Sequence, residues 1–579
     1  MKICKIEISN FRGIKYASIN LDGNTVFVGD NNSGKSTLFE AIDLVMGPDR
    51  LSRHPVIDEH DFYAGEYILK DSLVEINIEV TITGLNEEQL IYFGNHIEWW
   101  NTNTKTLIDD PPASNTDIDG VVPALRFKFI GKYDNEEDDF EGKTFYSSSL
   151  REGCQPILFK TRDKRRCGFL YLRTLRTGNR ALSLERGSLL DIILQLKELR
   201  PLMWEEVLNQ LKDITVAKNP DLGLEEILSD VQESLSSLVT FESANNPQIK
   251  VSNFTREHLR KVLTVYMGSG SLCNDGSEYI TPYYRQGTGT INILVLSLLS
   301  MIAQLKENVI FAMEEPETAL PPHIQKRVVL SVIEKSTQAL FTSHSPYVLE
   351  EFPPEEILTI SKIEGILNAV PAQMPPTIKP KMYRDEFRRR FCEALLSRRV
   401  LITEGKTEYD VYTVAARKMQ EFHPTENYAF ELLGITLVNA ETDSQVAQLG
   451  KYYKSLNKTV YAVFDKQQPS DLNEIKEHVD YAYEATEYGI EKLILNSISY
   501  DVLLRYGMDL INNGDWPTHL QNKPNSSLSP KELIDIMFNY FKCNKATGSL
   551  ANLISICTEE EMPQCIKDVI INISKTIHP

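Results

Sequence analysis

Cysteine pairs, long apolar runs and an excess of positive charge are all missing from this chain of 579 residues. The cysteines (Cys4, Cys154, Cys167, Cys273, Cys392, Cys543, Cys557 and Cys565) are scattered, with no C-x-x-C pair, so neither a disulfide framework nor a zinc site is indicated. A reducing cytoplasm is the expected setting. No run approaches the ~18 apolar residues of a membrane span, and the opening Lys2-Ile3-Cys4-Lys5-Ile6-Glu7-Ile8 is too polar for a signal peptide. A soluble protein without a membrane partner is expected. Basic residues number 61 against 81 acidic ones, a net charge of −20, which argues against indiscriminate wrapping of nucleic acid. Any polyanion must then bind a local basic groove. Internal repeats and low-complexity tracts are also lacking, and the length suits two to four domains.

What is present begins at Gly29-Asp30-Asn31-Asn32-Ser33-Gly34-Lys35-Ser36-Thr37, which reads G-x-x-x-x-G-K-S. The apolar stretch Thr25-Val26-Phe27-Val28 enters it as a strand, and residues from Thr37 leave it with helical period. In such a loop the backbone N–H groups of Gly29 to Thr37 close round phosphates, Lys35 reaches the β- and γ-phosphates, and the Ser36 hydroxyl reaches Mg²⁺. The acidic partner lies far along the chain. Val309-Ile310-Phe311-Ala312 is a buried strand leading to Glu314 and Glu315, where one acid supports the metal (Glu314) and the next orients the attacking water (Glu315). Together the two segments point to an ATPase. Downstream, the apolar strand Ala339-Leu340-Phe341-Thr342 delivers Ser343-His344-Ser345-Pro346.

A second α/β unit opens with Arg399-Val400-Leu401-Ile402-Thr403-Glu404-Gly405-Lys406-Thr407-Glu408. Glu404 and Glu408 converge on one side of a tight strand-to-helix turn and offer oxygen ligands to Mg²⁺ or Mn²⁺. The strand Thr459-Val460-Tyr461-Ala462-Val463-Phe464 ends in another carboxylate, Asp465. Between the units, Arg384 and Arg388-Arg389-Arg390, continued by Arg398-Arg399, lie beside Phe387 and Phe391. This run either leads a nucleic-acid backbone toward Glu404 or forms a helix face that pairs with the acidic first unit. Lys164-Arg165-Arg166 and Arg173, Arg176 and Arg180 read as structural or interfacial.

The E-E-P-E and T-S-H-S-P segments, with Gln286-Gly287-Thr288-Gly289-Thr290 opening an apolar helix and Ile8-Ser9-Asn10-Phe11-Arg12-Gly13 at the start, resemble ABC-type ATPase heads. These heads are related to those of chromosome-maintenance and recombination-repair ATPases. The nearest likeness is to the overcoming-lysogenisation-defect (OLD) nucleases, and E-G-x-T-E resembles the first motif of a Toprim domain. The resemblance implies several roles. Gly287 and Gly289 become a degenerate signature motif that closes over nucleotide held by another subunit, so that ATP implies a homodimer or higher homo-oligomer. His344 becomes a γ-phosphate sensor, and Asp58-Glu59-His60-Asp61 stands where the family has its Q-loop. Glu491 resembles the late acidic residue of these nucleases, and Lys545 their catalytic lysine. The sequence departs from the D-x-D pattern at Gln467, an amide that ligates metal weakly, with Asp471 a displaced substitute.

The implied fold class is α/β: an ABC/SMC-like P-loop head with a helical dimerisation insertion, then an α/β Toprim domain with C-terminal helices. The expected boundaries are 1–183 and 251–375 for the head, 184–250 for the insertion, 386–510 for the Toprim unit and 511–579 for the helical end. The segments Asn101 to Gly120 and Asp134 to Asp139 read as surface loops, and Pro371, Pro375, Pro376 and Pro380 as a connection. The function implied is an ATP-binding and ATP-hydrolysing, metal-dependent DNA endonuclease, of a family that includes effectors of anti-phage systems such as Gabija and some retrons. A regulatory protein or nucleic acid is a further expected partner. Two rivals stand beside it: an ATP-switched scaffold with a degenerate Toprim site, and a DNA-end repair ATPase.

Overall fold

The computed structural model describes all residues except 49–54, 71, 109–119, 173–181, 186–187, 213–223, 239–254, 306–308, 319, 374–384, 427, 546 and 578–579. Arg173, Arg176, Arg180, Pro375, Pro376, Pro380 and Arg384 lie outside the described residues, as does most of the expected loop 101–120.

Five parallel strands form the centre of a large sheet, in the spatial order Phe169–Leu172, Ile310–Glu314, Gln338–Thr342, Thr25–Val28 and Ile357–Ile363. The sheet then turns back through the antiparallel partner Ile366–Pro371 and continues into the strands Ile14–Asn20, Lys2–Phe11, Ile76–Thr83 and Val121–Asp134. The central strands carry apolar side chains on both faces, as a sheet covered on both sides requires. Phe27, Ile310, Ala312 and Leu340 point into one buried cluster with Leu38, Phe39 and Ile42 of the helix Lys35–Met46. Val26, Val28, Phe311, Met313 and Phe341 point into the other, with Val295 and Ile302 of the helix Thr288–Leu305. Phe39 locks the first face by edge-on contacts with Phe27 and Tyr171, so Phe39→Ala costs about 3–5 kcal/mol.

The C-terminal unit is a parallel sheet in the order Ile435–Asn439, Arg399–Thr403, Thr459–Phe464 and Tyr481–Glu484. Its two faces divide the same way. Leu401, Tyr461 and Val463 pack on the helix Lys406–Phe422 and the C-terminal helices, whereas Val400, Ile402, Val460 and Ala462 join the same buried cluster as Phe341 and Phe352 of the head. The two units therefore share one apolar core. Part of the arginine run serves this junction: Arg389 pairs with Glu350 at 3.1 Å and Arg388 donates to the Phe352 carbonyl, whereas Arg390 lies over the Tyr409 ring and Arg399 donates to the Leu433 carbonyl within the C-terminal unit.

The segment 134–139 is a surface loop as expected, the exposed turn of a hairpin in which Asp139 faces Asp134. Other local expectations change. Part of the expected loop after Asn101 is a strand, Thr106–Ile108, paired with Glu98–Asn101. Helices Leu189–Leu196, Arg200–Lys212 and Leu224–Leu238 follow the head's first half, but Leu189 and Ile193 belong to the head's own core. Lys164 is structural: it is 1% exposed and its ammonium caps the end of the phosphate-loop helix through the Leu44 carbonyl at 2.9 Å.

Candidate functional sites

Three neighbouring parallel strands end at the same edge of the head sheet. Thr25–Val28 runs into the phosphate loop, Ile310–Glu314 into Glu315, and Gln338–Thr342 into Ser343 and His344. The carboxyl edge of a parallel sheet is where loops are free to meet a ligand. The loop is built for close backbone approach: Gly34 has φ of 99°, and a Cβ on Gly29 would sit 2.4 Å from the Ile360 carbonyl oxygen. Lys35 is buried, and its ammonium bonds the carbonyls of Gly29 at 2.7 Å and Asp30 at 2.9 Å. Burial lowers the Lys35 pKa, opposed by Asp30, Glu315 and Glu314. Ser33 is buried, while Asn31, Asn32 and Ser36 are exposed.

Glu314 is buried and accepts a 2.6 Å hydrogen bond from the Tyr171 hydroxyl. Glu315 adopts φ of 45°, a left-handed conformation uncommon outside glycine, and its N–H donates to the Thr342 carbonyl at 2.9 Å. His344 senses the same electrostatic surroundings: desolvation and then Lys35 lower its pKa, against Glu315 and Asp30. Glu317, the last acid of E-E-P-E, accepts from the His344 backbone N–H at 2.7 Å and from the Ser343 hydroxyl at 2.9 Å. Tyr171 and Glu317 escape the sequence reading, although E-E-P-E displays Glu317 in plain view. Gly287 is exposed just before the helix Thr288–Leu305, and Gly289 lies within its first turn. The Asp58–Asp61 cluster holds Arg12: Asp61 is buried and accepts from Arg12 at 2.7 Å.

The second sheet repeats the arrangement. Glu404 follows the strand Arg399–Thr403, Asp465 follows Thr459–Phe464, and Glu408 and Glu491 occupy the first turns of the helices Lys406–Phe422 and Ile490–Ser497. Helix starts favour negative charge, yet burial, helped by Asp465, Glu404 and Glu491, pushes Glu408 up to about 7. Burial, then Glu404 and Glu491, pushes Asp465 up to about 6. Glu404 is raised by burial and by Asp443, an acid on the helix Asp443–Ser455 that the sequence reading misses. Carboxylates that raise one another's proton affinity form an oxygen-donor set suited to a hard divalent cation. Among the described residues, however, no three His, Cys, Asp or Glu groups stand close enough to enclose an ion. Gln467 turns inward, its amide donating to Glu404 at 3.3 Å, while Asp471 is exposed and accepts from Ser470. Lys545 is exposed and stands 3.9 Å from Glu491.

Residues 1–164 and 185–349 match the AAA ATPase domain family, and residues 395–466 match the overcoming lysogenization defect protein-like TOPRIM domain. The chain belongs to the AAA ATPase family, with an OLD-like TOPRIM domain behind it. This ATPase–TOPRIM chain is 22% identical over 428 residues to the endonuclease GajA of Bacillus cereus (strain VD045), covering 70% of this chain. It spans 66% of the length of that relative. Among solved structures, the SMC head domain from Thermotoga maritima is 12% identical, with 65% of this chain and 100% of that one covered and a TM-score of 0.30. The Smc head domain with an extended coiled coil derived from Pyrococcus furiosus is also 12% identical, with 64% and 95% covered and a TM-score of 0.33. In the ATPase–TOPRIM chain no helix among the described residues is long and apolar enough to cross a membrane.

Proposed function

We propose that the chain is an ATP-binding and ATP-hydrolysing, metal-dependent DNA endonuclease that acts as a cytoplasmic homo-oligomer in anti-phage defence. The reading rests on one observation: two parallel sheets share a core, and at the carboxyl ends of adjacent strands the head presents the phosphate loop, Glu314, Glu315 and His344, and the TOPRIM unit Glu404 and Asp465. The similarity to a protein named as an endonuclease supports it.

In the head, the loop N–H groups and Lys35 bind and orient the phosphates of ATP, and Glu315 orients the attacking water. Ser36 and Glu314 would hold a divalent cation there. Tyr171 fixes the Glu314 carboxylate, and Glu317 fixes the backbone that carries His344 toward the γ-phosphate. In the TOPRIM unit, Glu404, Glu408, Asp465 and Glu491 would hold Mg²⁺ or Mn²⁺ once their side chains draw closer than they stand here. A divalent cation held there would polarise the phosphodiester and acidify water. Lys545 contributes positive charge toward the departing oxygen, and Gln467 orients Glu404 without adding charge.

The test is cleavage of supercoiled plasmid and single-stranded DNA by purified protein in Mg²⁺ or Mn²⁺, with and without ATP, beside Glu404→Ala and Lys35→Ala. Cutting removed by Glu404→Ala and ATP hydrolysis removed by Lys35→Ala are expected. A neutral amide at Gln467 favours a second reading, an ATP-switched scaffold that does not cut. Cleavage that depends on Glu404 would eliminate it.

A further inference from the structure

Among the described residues, an ion pair joins the phosphate loop to the C-terminal unit. Arg398, the residue before the strand Arg399–Thr403, places its Nε 2.6 Å from Oδ2 of Asp30. Asp30 lies between Gly29 and the lysine of the loop, and its own carbonyl accepts from the Lys35 ammonium. Its carboxylate acts on several neighbours. Lys35 and His344, each lowered chiefly by desolvation, are both drawn back up by Asp30, as is the buried Lys458 of the C-terminal unit. Asp30 is therefore a negative charge beside the groups that face the phosphates of ATP, an unfavourable neighbour for a polyanion unless it is neutralised.

The neutralising charge comes from the other unit. Arg398 and Asp30 side chains are 64% and 43% exposed, so the pair contributes little to holding the units together. That work is done by the shared apolar core and by contacts such as Tyr452 to the Ala372 carbonyl at 2.8 Å. What the pair changes is local charge. Lys458 reinforces it: its ammonium is anchored by the Leu395 carbonyl at 2.8 Å and the Ser397 carbonyl at 2.5 Å, which fixes the segment bearing Arg398. The Arg398 carbonyl in turn accepts from Thr459 N–H at 3.3 Å.

Resting on the ATP-dependent reading above, we propose that Arg398 is a positioning residue of the nucleotide site supplied by the TOPRIM unit, which neutralises Asp30 and makes ATP affinity depend on the docking of that unit. The strand that follows Arg398 ends at Glu404, and the strand that follows Lys458 ends at Asp465. The first of these strands thus begins beside the phosphate-loop contact and ends at a candidate metal ligand, and the second begins at the lysine that anchors the segment bearing Arg398 and ends at another. Linkage makes the effect reciprocal: whatever docking adds to ATP binding, ATP adds to docking.

The experiment is calorimetric binding of ATP and its imido analogue to the full-length protein, comparing wild type, Arg398→Ala, Arg398→Lys, Asp30→Asn and the Asp30→Asn/Arg398→Ala pair. Arg398→Ala leaves Asp30 bare and is expected to raise Kd about tenfold, with Arg398→Lys intermediate. Asp30→Asn is expected to leave binding equal or tighter. The double variant is expected to return to within about twofold of wild type, a rescue that a merely structural arginine would not show. Wild-type affinity in Arg398→Ala, or no rescue in the double variant, overturns the proposal. If Arg398→Ala does not fold, Asp30→Asn decides, because weakened binding in that variant is incompatible with a repulsive carboxylate. Wild-type protein that binds neither nucleotide overturns the ATP reading itself, and this proposal with it; wild-type binding unaffected by Arg398 overturns this proposal alone.

Discussion

The Tyr171 hydroxyl donates a 2.6 Å hydrogen bond to Oε1 of Glu314, across the parallel pairing of Phe169–Leu172 with Ile310–Glu314. A hydrogen bond to an ionised group contributes about 1.5–3 kcal/mol. Tyr171→Phe keeps the ring contact with Phe39 and removes only that donor. ATP turnover is expected to fall on the order of tenfold in kcat with KM nearly unchanged. Steady-state hydrolysis measures both, and an unchanged kcat would reduce Tyr171 to a packing residue.

Glu315 carries left-handed strain, with φ of 45°. Such a conformation costs a non-glycine residue about 1–2 kcal/mol, so Glu315→Gly relieves strain while deleting the carboxylate. The expected outcome is hydrolysis reduced at least about a hundredfold with thermal stability equal to wild type or higher. Glu315→Ala keeps the strain and is expected to melt below Glu315→Gly. The reverse order in a thermal melt would show that the backbone is not strained there.

Gln467→Asp places a further carboxylate against Glu404. Metal affinity rises with ligand charge, so calorimetric titration with Mn²⁺ is expected to give binding roughly tenfold tighter. In chelator the same variant is expected to melt at a lower temperature than wild type, because the added charge meets Glu404 and Asp465 without a cation. Unchanged Mn²⁺ binding would place Gln467 outside the ligand sphere.

Lys164 offers a test in pH. Burial, partly offset by Asp43, lowers it from 10.5 to about 7. Between those values the unfolded chain binds more protons at this site than the folded one, so its contribution to stability rises with pH and is lost as pH falls toward 7. Wild-type melting temperature relative to Lys164→Met is therefore expected to climb from pH 7 to pH 8.5. Parallel curves for the two proteins over that interval would mean that Lys164 stays charged inside the core.

The parts of the fold most legible in the sequence are those written in short segments. Thr25–Val28 and Ile310–Glu314 are uniformly buried and, apart from Thr25 and Glu314 at their ends, apolar, because both faces of their sheet are covered, and a strand of that kind running into G-x-x-x-x-G-K-S or E-E shows where a loop opens. The same holds for Arg399–Thr403 before Glu404. Tyr171, Asp443 and the Arg398–Asp30 pair are invisible in this way, because each meets its partner only through sheet order. The arginine run left two meanings open in the sequence. Arg388, Arg389 and Arg398 find Phe352, Glu350 and Asp30 because the head presents those groups where the two units close on a common core, whereas Arg390 meets Tyr409 within the C-terminal unit.

The strand order also has a consequence for synthesis. Thr25–Val28 is flanked by Gln338–Thr342 and Ile357–Ile363, so its hydrogen-bonding partners lie more than ~300 residues downstream. At about 5–20 residues per second a ribosome takes roughly 15–60 s to deliver them. The antiparallel sheet formed by Ile14–Asn20, Lys2–Phe11, Ile76–Thr83 and Val121–Asp134 can pair long before that. The nascent chain thus carries a finished antiparallel sheet beside an unpaired apolar strand for most of its emergence, the interval in which a chaperone has the most to cover.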